Sequence, residues 1–206
     1  LSAATQGPGP DLARALIARG AKPIAIDRSQ DALDHLADDL GGGIVTLARD
    51  LGEPTAAIEI ARWLADEHRD IGALICNGAA TRADGMNCRL IAPLAMLGFL
   101  GAFVPERRDI KVALVFDASD LGRDIARSSH LARRFAWDRG RSACLTSILL
   151  TGSAFDDDRD ARRRAADLML DALAIGRATV RVGQRTALLT LPYSVRNLGK
   201  RAEEPA

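Results

Sequence analysis

Two glycines near the start of the chain, and an acidic residue after the first apolar strand, have the residue types and spacing of a nucleotide-binding site. Gly7 and Gly9 have no Cβ, so the backbone there can turn sharply and a phosphate group can approach it. The free N–H groups at the start of a following helix attract the same anion. Asp27 lies about 20 residues further on, where a carboxylate can accept hydrogen bonds from an adenosine ribose. The stretch therefore predicts a dinucleotide site.

The residues between the turn and the acid supply the helix and strand that such a site needs. Pro10 and Asp11 are typical of a first helical turn, an apolar periodic run follows, and Gly20 ends the helix. A short apolar strand then leads to Asp27. An alternative interpretation is an ordinary helix entry in which Asp27 caps the next helix, a role for which Ser29 competes.

Helices and strands alternate along the rest of the chain. Helical periodicity predicts helices over residues 30–40, from residue 54, and over 90–103 and 125–137. A further helix is predicted to begin in the charged run at 156–164, and residues 165–175 are its apolar part. Short apolar runs predict strands over residues 44–48, 71–76, 110–116, 143–150 and 179–182, with a further apolar piece at 188–191. This alternation predicts an α/β fold, a doubly wound parallel sheet with helices on both faces, in which ligands bind beyond the carboxyl ends of the strands.

Composition limits the other possibilities. A length of 206 residues favours a single domain over 1–206, and a net charge of +1 with 27% charged residues gives no sign of a nucleic-acid partner. The three cysteines have no metal-type spacing, so we expect reduced thiols and no metal site. We see no apolar run long enough for a membrane and no signal peptide, which predicts a cytoplasmic protein without a membrane partner.

Several motifs have counterparts in one known family. The turn at residues 2–9 reads SAATQGPG, and residues 76–79 read CNGA. Residues 116–119 read FDAS at the end of a predicted strand. These stretches are similar to the T-G-x-x-x-G-x-G turn, the N-N-A-G motif and the catalytic-serine strand of the short-chain dehydrogenase/reductase family. The resemblance extends over essentially the whole chain, with Ala3 in place of the first glycine of the turn.

The resemblance implies an NAD or NADP cofactor, and Asp27 slightly favours NAD while the adjacent Arg28 keeps NADP open. It implies that Asp50 and Leu51 hold the adenine and that Ser119 orients the reacting oxygen of a small-molecule carbonyl or alcohol substrate. The full set of implied cofactor-binding residues is Ala3, Thr5, Gln6, Gly7, Pro8, Gly9, Asp27, Arg28, Asp50, Leu51, Asn77, Gly78 and Ala79. The helices at 90–103 and 125–137 resemble those that pair in family dimers and tetramers, which implies a homo-oligomer.

One departure bears on catalysis. The family's proton donor is a Tyr four residues before a Lys, and this sequence has no Y-x-x-x-K; its one tyrosine is Tyr193, in the tail. His130 is a candidate substitute donor, with a surface or capping role as the alternative. Arg127 is a candidate for the fixed positive charge of the Lys, but it cannot relay a proton. A non-catalytic NAD(P)-binding or structural subunit is therefore a second hypothesis, and an α/β domain that binds no dinucleotide is a third.

The chain also begins at the turn, without the apolar strand that should lead into it. The segments after residues 77, 119 and 152 are short for the family. Either this is a trimmed member of the family or segments of the natural protein are missing from the sequence, and the missing first strand favours the second explanation.

Overall fold

The computed structural model describes residues 1–68, 70–77, 111–117, 144–151, 159–175, 179–183 and 188–190. Its strands are β1 (Ile24–Asp27), β2 (Val45–Ala48), β3 (Ala73–Asn77), β4 (Lys111–Asp117), β5 (Cys144–Thr151), β6 (Thr179–Gly183) and β7 (Leu188–Thr190). Its helices are α1 (Gly9–Ala18), α2 (Gln30–Asp39), α3 (Ala56–Glu67) and α4 (Arg159–Ile175). The predicted helices at 90–103 and 125–137 lie outside the described residues.

The sheet is parallel from β1 to β6. β1 pairs with β2, and β3, β4, β5 and β6 pair in that order. Ser2 joins the two groups of strands, because it forms parallel bridges to Ile26 on one side and to Cys76 on the other. Residue 2 thus occupies the place of a central strand, between β1 and β3. The edge strand β7 departs from the parallel pattern, since it runs antiparallel to β6.

The strand order reverses at Ser2. From the centre the chain moves outward through β1 and β2, then crosses back to β3 on the other side. Because such crossovers are right-handed, connections in opposite directions place their helices on opposite faces of the sheet. α2 and α3 are therefore on different faces, which gives the predicted doubly wound arrangement.

The core agrees with that division for α1, α2 and α3. α4 is the exception: it packs in the same cluster as α1 and α2 although the step from β5 to β6 runs away from β1 and β2, so the connection through α4 does not follow the right-handed rule. One cluster joins the apolar sides of α1, α2 and α4 to alternate residues of the sheet, and its members include Leu12, Leu33, Ile75, Ala113, Val115, Met169 and Leu170. Neighbouring strand residues such as Leu74 and Val112 are equally buried but lie outside this cluster, because side chains alternate between the two faces of a strand. The buried residues of α3, among them Ile60 and Leu64, are also outside it.

Ion pairs add to the packing of α1 against α4. The Arg19 guanidinium lies 2.8 Å from the Asp171 carboxylate and 3.1 Å from that of Asp167. Near the start of α1, Asp11 lies 3.2 Å from Arg14 and 3.6 Å from Arg162. The two helices therefore run side by side, with the beginning of α1 held near the beginning of α4.

Local sequence explains where the first two helices begin and end. Gly20, at φ +78°, ends α1 in the left-handed conformation that glycine tolerates, as predicted. Ser29 caps α2 by accepting a hydrogen bond from the Ala32 N–H at 3.2 Å. Asp27 does not cap that helix, which removes the alternative role considered for it.

None of the helices within the described ranges is long and apolar enough to cross a membrane.

Candidate functional site

A pocket opens where the strand order reverses, at the carboxyl ends of β1 and β3. Doubly wound sheets bind ligands at this position because the loops on either side diverge there. The residues that line the pocket are Ser2, Ala3, Gln6, Ile26, Asp27, Arg28, Arg49, Asp50, Leu51 and Asn77. The candidate site thus combines the glycine turn with the ends of β1, β2 and β3.

The turn at residues 3–9 is shaped by its small residues. Ala3 has a φ of +46° and Gly7 a φ of +50°, so both are in the left-handed region. Gly9 meets the turn so closely that a Cβ there would contact the Ala4 carbonyl oxygen, and would lie 2.6 Å from the Ala4 carbonyl carbon and 2.7 Å from the Ala3 oxygen. The absence of a side chain at Gly9 therefore lets α1 start directly against the turn.

Asn77, at the end of β3, fixes the turn from the other side. Its Nδ2 donates to the carbonyl oxygens of Ala3, at 3.0 Å, and of Gln6, at 2.9 Å. Its backbone N–H donates to the Ser2 hydroxyl at 3.3 Å. Because Asn77 is only 2% exposed, these bonds are shielded from water and hold the turn rigidly against the sheet.

Asp27 is bound to the turn through both of its carboxylate oxygens. Oδ2 accepts from the Thr5 hydroxyl at 2.6 Å and the Thr5 N–H at 3.1 Å. Oδ1 accepts from the Arg28 N–H at 2.7 Å and, weakly, from the Gln6 amide at 3.5 Å. A buried carboxylate needs such donors, and Asp27 is 5% exposed. The acid therefore lies at the pocket with both of its oxygens held by hydrogen bonds from the chain.

The outer wall of the pocket carries charge of both signs. Arg28 follows Asp27, and Arg49 follows β2 with its Nη1 donating to the Ala48 carbonyl at 3.0 Å. Asp50 uses Oδ1 to accept from the Gly52 N–H at 2.7 Å, which fixes the loop after β2. Two arginines and two aspartates are thus among the residues that line the pocket.

The N-terminal end of α1 provides a donor for an anion. The exposed Gly7 N–H forms no hydrogen bond within the described part of the chain, whereas the Gly9 N–H donates to the Gln6 carbonyl at 2.9 Å. Neither Pro8 nor Pro10 has an N–H. A free amide beside the positive end of a helix is suited to a phosphate group.

Most of the residues predicted from the sequence come together here. Ala3, Gln6, Asp27, Arg28, Asp50, Leu51 and Asn77 line the pocket. Thr5, Gly7, Pro8 and Gly9 form the adjoining turn and helix start without lining it. Gly78, Ala79 and Ser119 lie outside the described residues, as do Arg127, His130 and Tyr193.

Three lining residues were not among the predicted cofactor contacts. Ser2 lines the pocket because it lies between β1 and β3, and its place as the first residue of the turn motif was the available signal. Arg49 directly precedes the predicted Asp50. Ile26 is one residue before Asp27 on a buried strand, and its apolar type alone gave no reason to select it.

Cys76, next to the site on β3, does not have the character of a nucleophile. It is a free thiol, 1% exposed, and burial raises its pKa to about 12. A thiol in that environment stays protonated at neutral pH, so its contribution is to packing.

Comparison with family models and with curated protein sequences finds no match. Solved structures do match. Serine dehydrogenase from Escherichia coli superposes with a TM-score of 0.65 at 18% identity, over 86% of this chain and 93% of that one. An oxidoreductase of the short-chain dehydrogenase/reductase family from Burkholderia thailandensis gives a TM-score of 0.63 at 21% identity, over 88% of this chain and 89% of that one. The fold is therefore that of the short-chain dehydrogenases/reductases, as the sequence motifs predicted.

Proposed function

We propose that this chain binds NAD or NADP in the pocket at the strand reversal and acts as an oxidoreductase on a carbonyl or alcohol group. The observation that carries the proposal is that Asp27 and the turn residues Ala3 and Gln6 line one pocket, at the position where this fold binds ligands. The fold shared with two oxidoreductases supports the same assignment.

The residues present fit the proposed cofactor. The free Gly7 N–H at the start of α1 is suited to the pyrophosphate. Asp27 is suited to the adenosine ribose, which slightly favours NAD, while Arg28 and Arg49 would accept the additional phosphate of NADP. Asp50 and Leu51 line the part of the pocket after β2, where the adenine would lie.

The nicotinamide, when bound, supplies or accepts the hydride. The chain's task is then to orient the substrate oxygen and to manage the proton that accompanies the hydride. By resemblance Ser119 would orient the oxygen through its hydroxyl. A proton donor is still needed, and the sequence offers no Tyr and Lys at the family's spacing.

That gap in the sequence favours a second candidate function, a subunit that binds the dinucleotide without turning it over. The two candidates share the cofactor site and differ only in the proton donor. A small-molecule substrate, a homo-oligomeric state and a cytoplasmic location belong to the first proposal. Sedimentation of the purified chain tests the oligomer, and a monomer at high concentration would contradict it.

Titration with NADH and NADPH, followed by their fluorescence, tests the cofactor proposal. We expect saturable binding that is weakened by Asp27→Asn and by Gly7→Ala. Asp31→Asn, an equivalent change on the exposed start of α2, should leave binding unchanged. Because Asp27 also anchors the turn, and an alanine at position 7 is strained at φ +50°, the thermal unfolding of each variant is measured. No binding of either nucleotide at high concentration would contradict the proposal.

Turnover separates the two candidates. Oxidation of NADH or NADPH in the presence of a panel of aldehydes and ketones would support the enzyme. Binding without turnover of any member of the panel would support the non-catalytic subunit.

A further inference from the structure

We propose that the Gln6 side chain competes with the ligand for Asp27, and so lowers the affinity of the site for a nucleotide with a free ribose 2′-hydroxyl. This inference rests on the proposed function. It concerns a residue of the turn whose role in that site follows from the hydrogen bonds described above.

The argument begins with the acceptor capacity of Asp27. A carboxylate can accept about four hydrogen bonds. Asp27 already accepts four, two at each oxygen. A ribose hydroxyl can therefore donate to Asp27 only by replacing a donor of the chain itself.

The four donors are not equally replaceable. The bonds from Thr5 and Arg28 are between 2.6 and 3.1 Å long. Two come from the backbone, and the third comes from a short side chain next to one of those amides. The bond from Gln6 Nε2 to Oδ1 is 3.5 Å, at the limit of a hydrogen bond, and comes from the end of a long side chain. Gln6 is thus the donor that a ligand displaces at the lowest cost.

The position of Gln6 fits this role. Its side chain is half-buried and lines the pocket, so it has room to move when a ligand enters. Its backbone cannot follow, because the Gln6 carbonyl accepts from Asn77 Nδ2 at 2.9 Å and from the Gly9 N–H at 2.9 Å. Displacement of the amide therefore leaves the turn intact and frees one acceptor position on Oδ1.

Gln6→Met tests the inference, because methionine keeps the length of the side chain and removes the donor. We expect the Kd of NADH to fall by about two- to fivefold, the value of one weak hydrogen bond. NADPH has a phosphate in place of the 2′-hydroxyl, so its Kd should change less. Gln6→Ala should change the Kd of each nucleotide in the same direction as Gln6→Met does.

Gln30→Met is the matched control. Gln30 Nε2 donates to Asp34 Oδ1 at 2.7 Å on the exposed side of α2, away from the pocket, so its replacement should leave both constants unchanged. Unchanged or weaker NADH binding by Gln6→Met, or an equal gain for NADH and NADPH, would overturn the inference while the proposed function stands. Failure of the unaltered chain to bind either nucleotide would instead contradict the proposed function, and this inference with it.

Discussion

The Thr5 hydroxyl donates a 2.6 Å hydrogen bond to Oδ2 of Asp27, across 22 positions of sequence. This bond connects the turn before α1 to the end of β1. Because the Thr5 N–H donates to the same oxygen at 3.1 Å, one residue holds the acid by both its backbone and its side chain. The orientation of the carboxylate at the pocket is therefore set before any ligand arrives, which lowers the cost of binding.

Replacement of Thr5 by the isosteric valine removes the hydroxyl and leaves a buried carboxylate with one donor fewer. We expect Thr5→Val to reduce the free energy of unfolding by about 1.5–3 kcal/mol, the range for hydrogen bonds to charged groups. Denaturant unfolding measures the change. Thr46→Val on β2 makes the same substitution where no side-chain hydrogen bond is found in the described residues, and it should stay within about 0.5 kcal/mol of the unaltered chain. Equal effects of the two substitutions would contradict the anchoring role of Thr5.

Gly9 is the position in the turn where a side chain has no space. An added Cβ would meet the carbonyl groups of Ala3 and Ala4, which are backbone atoms and cannot rotate away. We expect Gly9→Ala to destabilise the protein by about 1–3 kcal/mol, as overpacking does.

Gly72→Ala is the comparison for that measurement, because a Cβ at Gly72 meets nothing within 4 Å. It should be neutral or slightly stabilising in the same denaturant experiment. A tolerated Gly9→Ala would show that α1 does not start as closely against the turn as described.

Ala3 occupies a left-handed conformation, at φ +46°, that favours glycine. The family motif has glycine there, so this chain has a methyl group in a strained position. We expect Ala3→Gly to stabilise the protein by up to about 1 kcal/mol, because the relief of strain exceeds the greater entropy of glycine in the unfolded chain. Ala18→Gly at the exposed end of α1 should instead destabilise it by about 0.5–1 kcal/mol. A loss of stability in Ala3→Gly would contradict the strain.

Cys76 gives a prediction about alkaline pH. Its thiol has a pKa of about 12 in the folded protein and 9.0 as its ordinary value, because burial opposes the thiolate. The unfolded chain therefore binds fewer protons than the folded one between these two values, and the stability contributed below pH 9.0 is lost as pH rises toward about 12.

The slope of that loss is about 1.4 kcal/mol for each pH unit while only the unfolded thiol is ionised. Unfolding curves recorded from pH 9.0 upward should fall more steeply for the parent than for Cys76→Ala, with Cys88 and Cys144 replaced by serine in both. Parallel curves would show that Cys76 is not held in the buried, protonated state.

The elements that carry the site follow from local sequence. Alternation of apolar helices and strands predicts the doubly wound sheet, and the acid after an apolar run predicts that Asp27 ends β1. Most strand limits differ from the prediction by one or two residues, as does the start of α3. The end of the first helix, which Gly20 marks, was placed correctly.

Tertiary relationships account for what the sequence could not predict. The partner of Thr5 is 22 residues away, and the position of Arg49 at the pocket depends on the pairing of β2 with β1. Ser2 lies between β1 and β3 and bridges both, which its polar type at the head of the turn did not indicate. The antiparallel direction of β7 has no signal in a run of three residues.

A crystal structure of the protein with NADH tests the central claim most directly. We expect the pyrophosphate over the Gly7 N–H and a hydroxyl of the adenosine ribose within hydrogen-bond distance of Asp27 Oδ1, with the Gln6 amide moved aside. A dinucleotide bound away from the pocket between β1 and β3, or a crystal soaked in saturating NADH that holds none, would contradict the account.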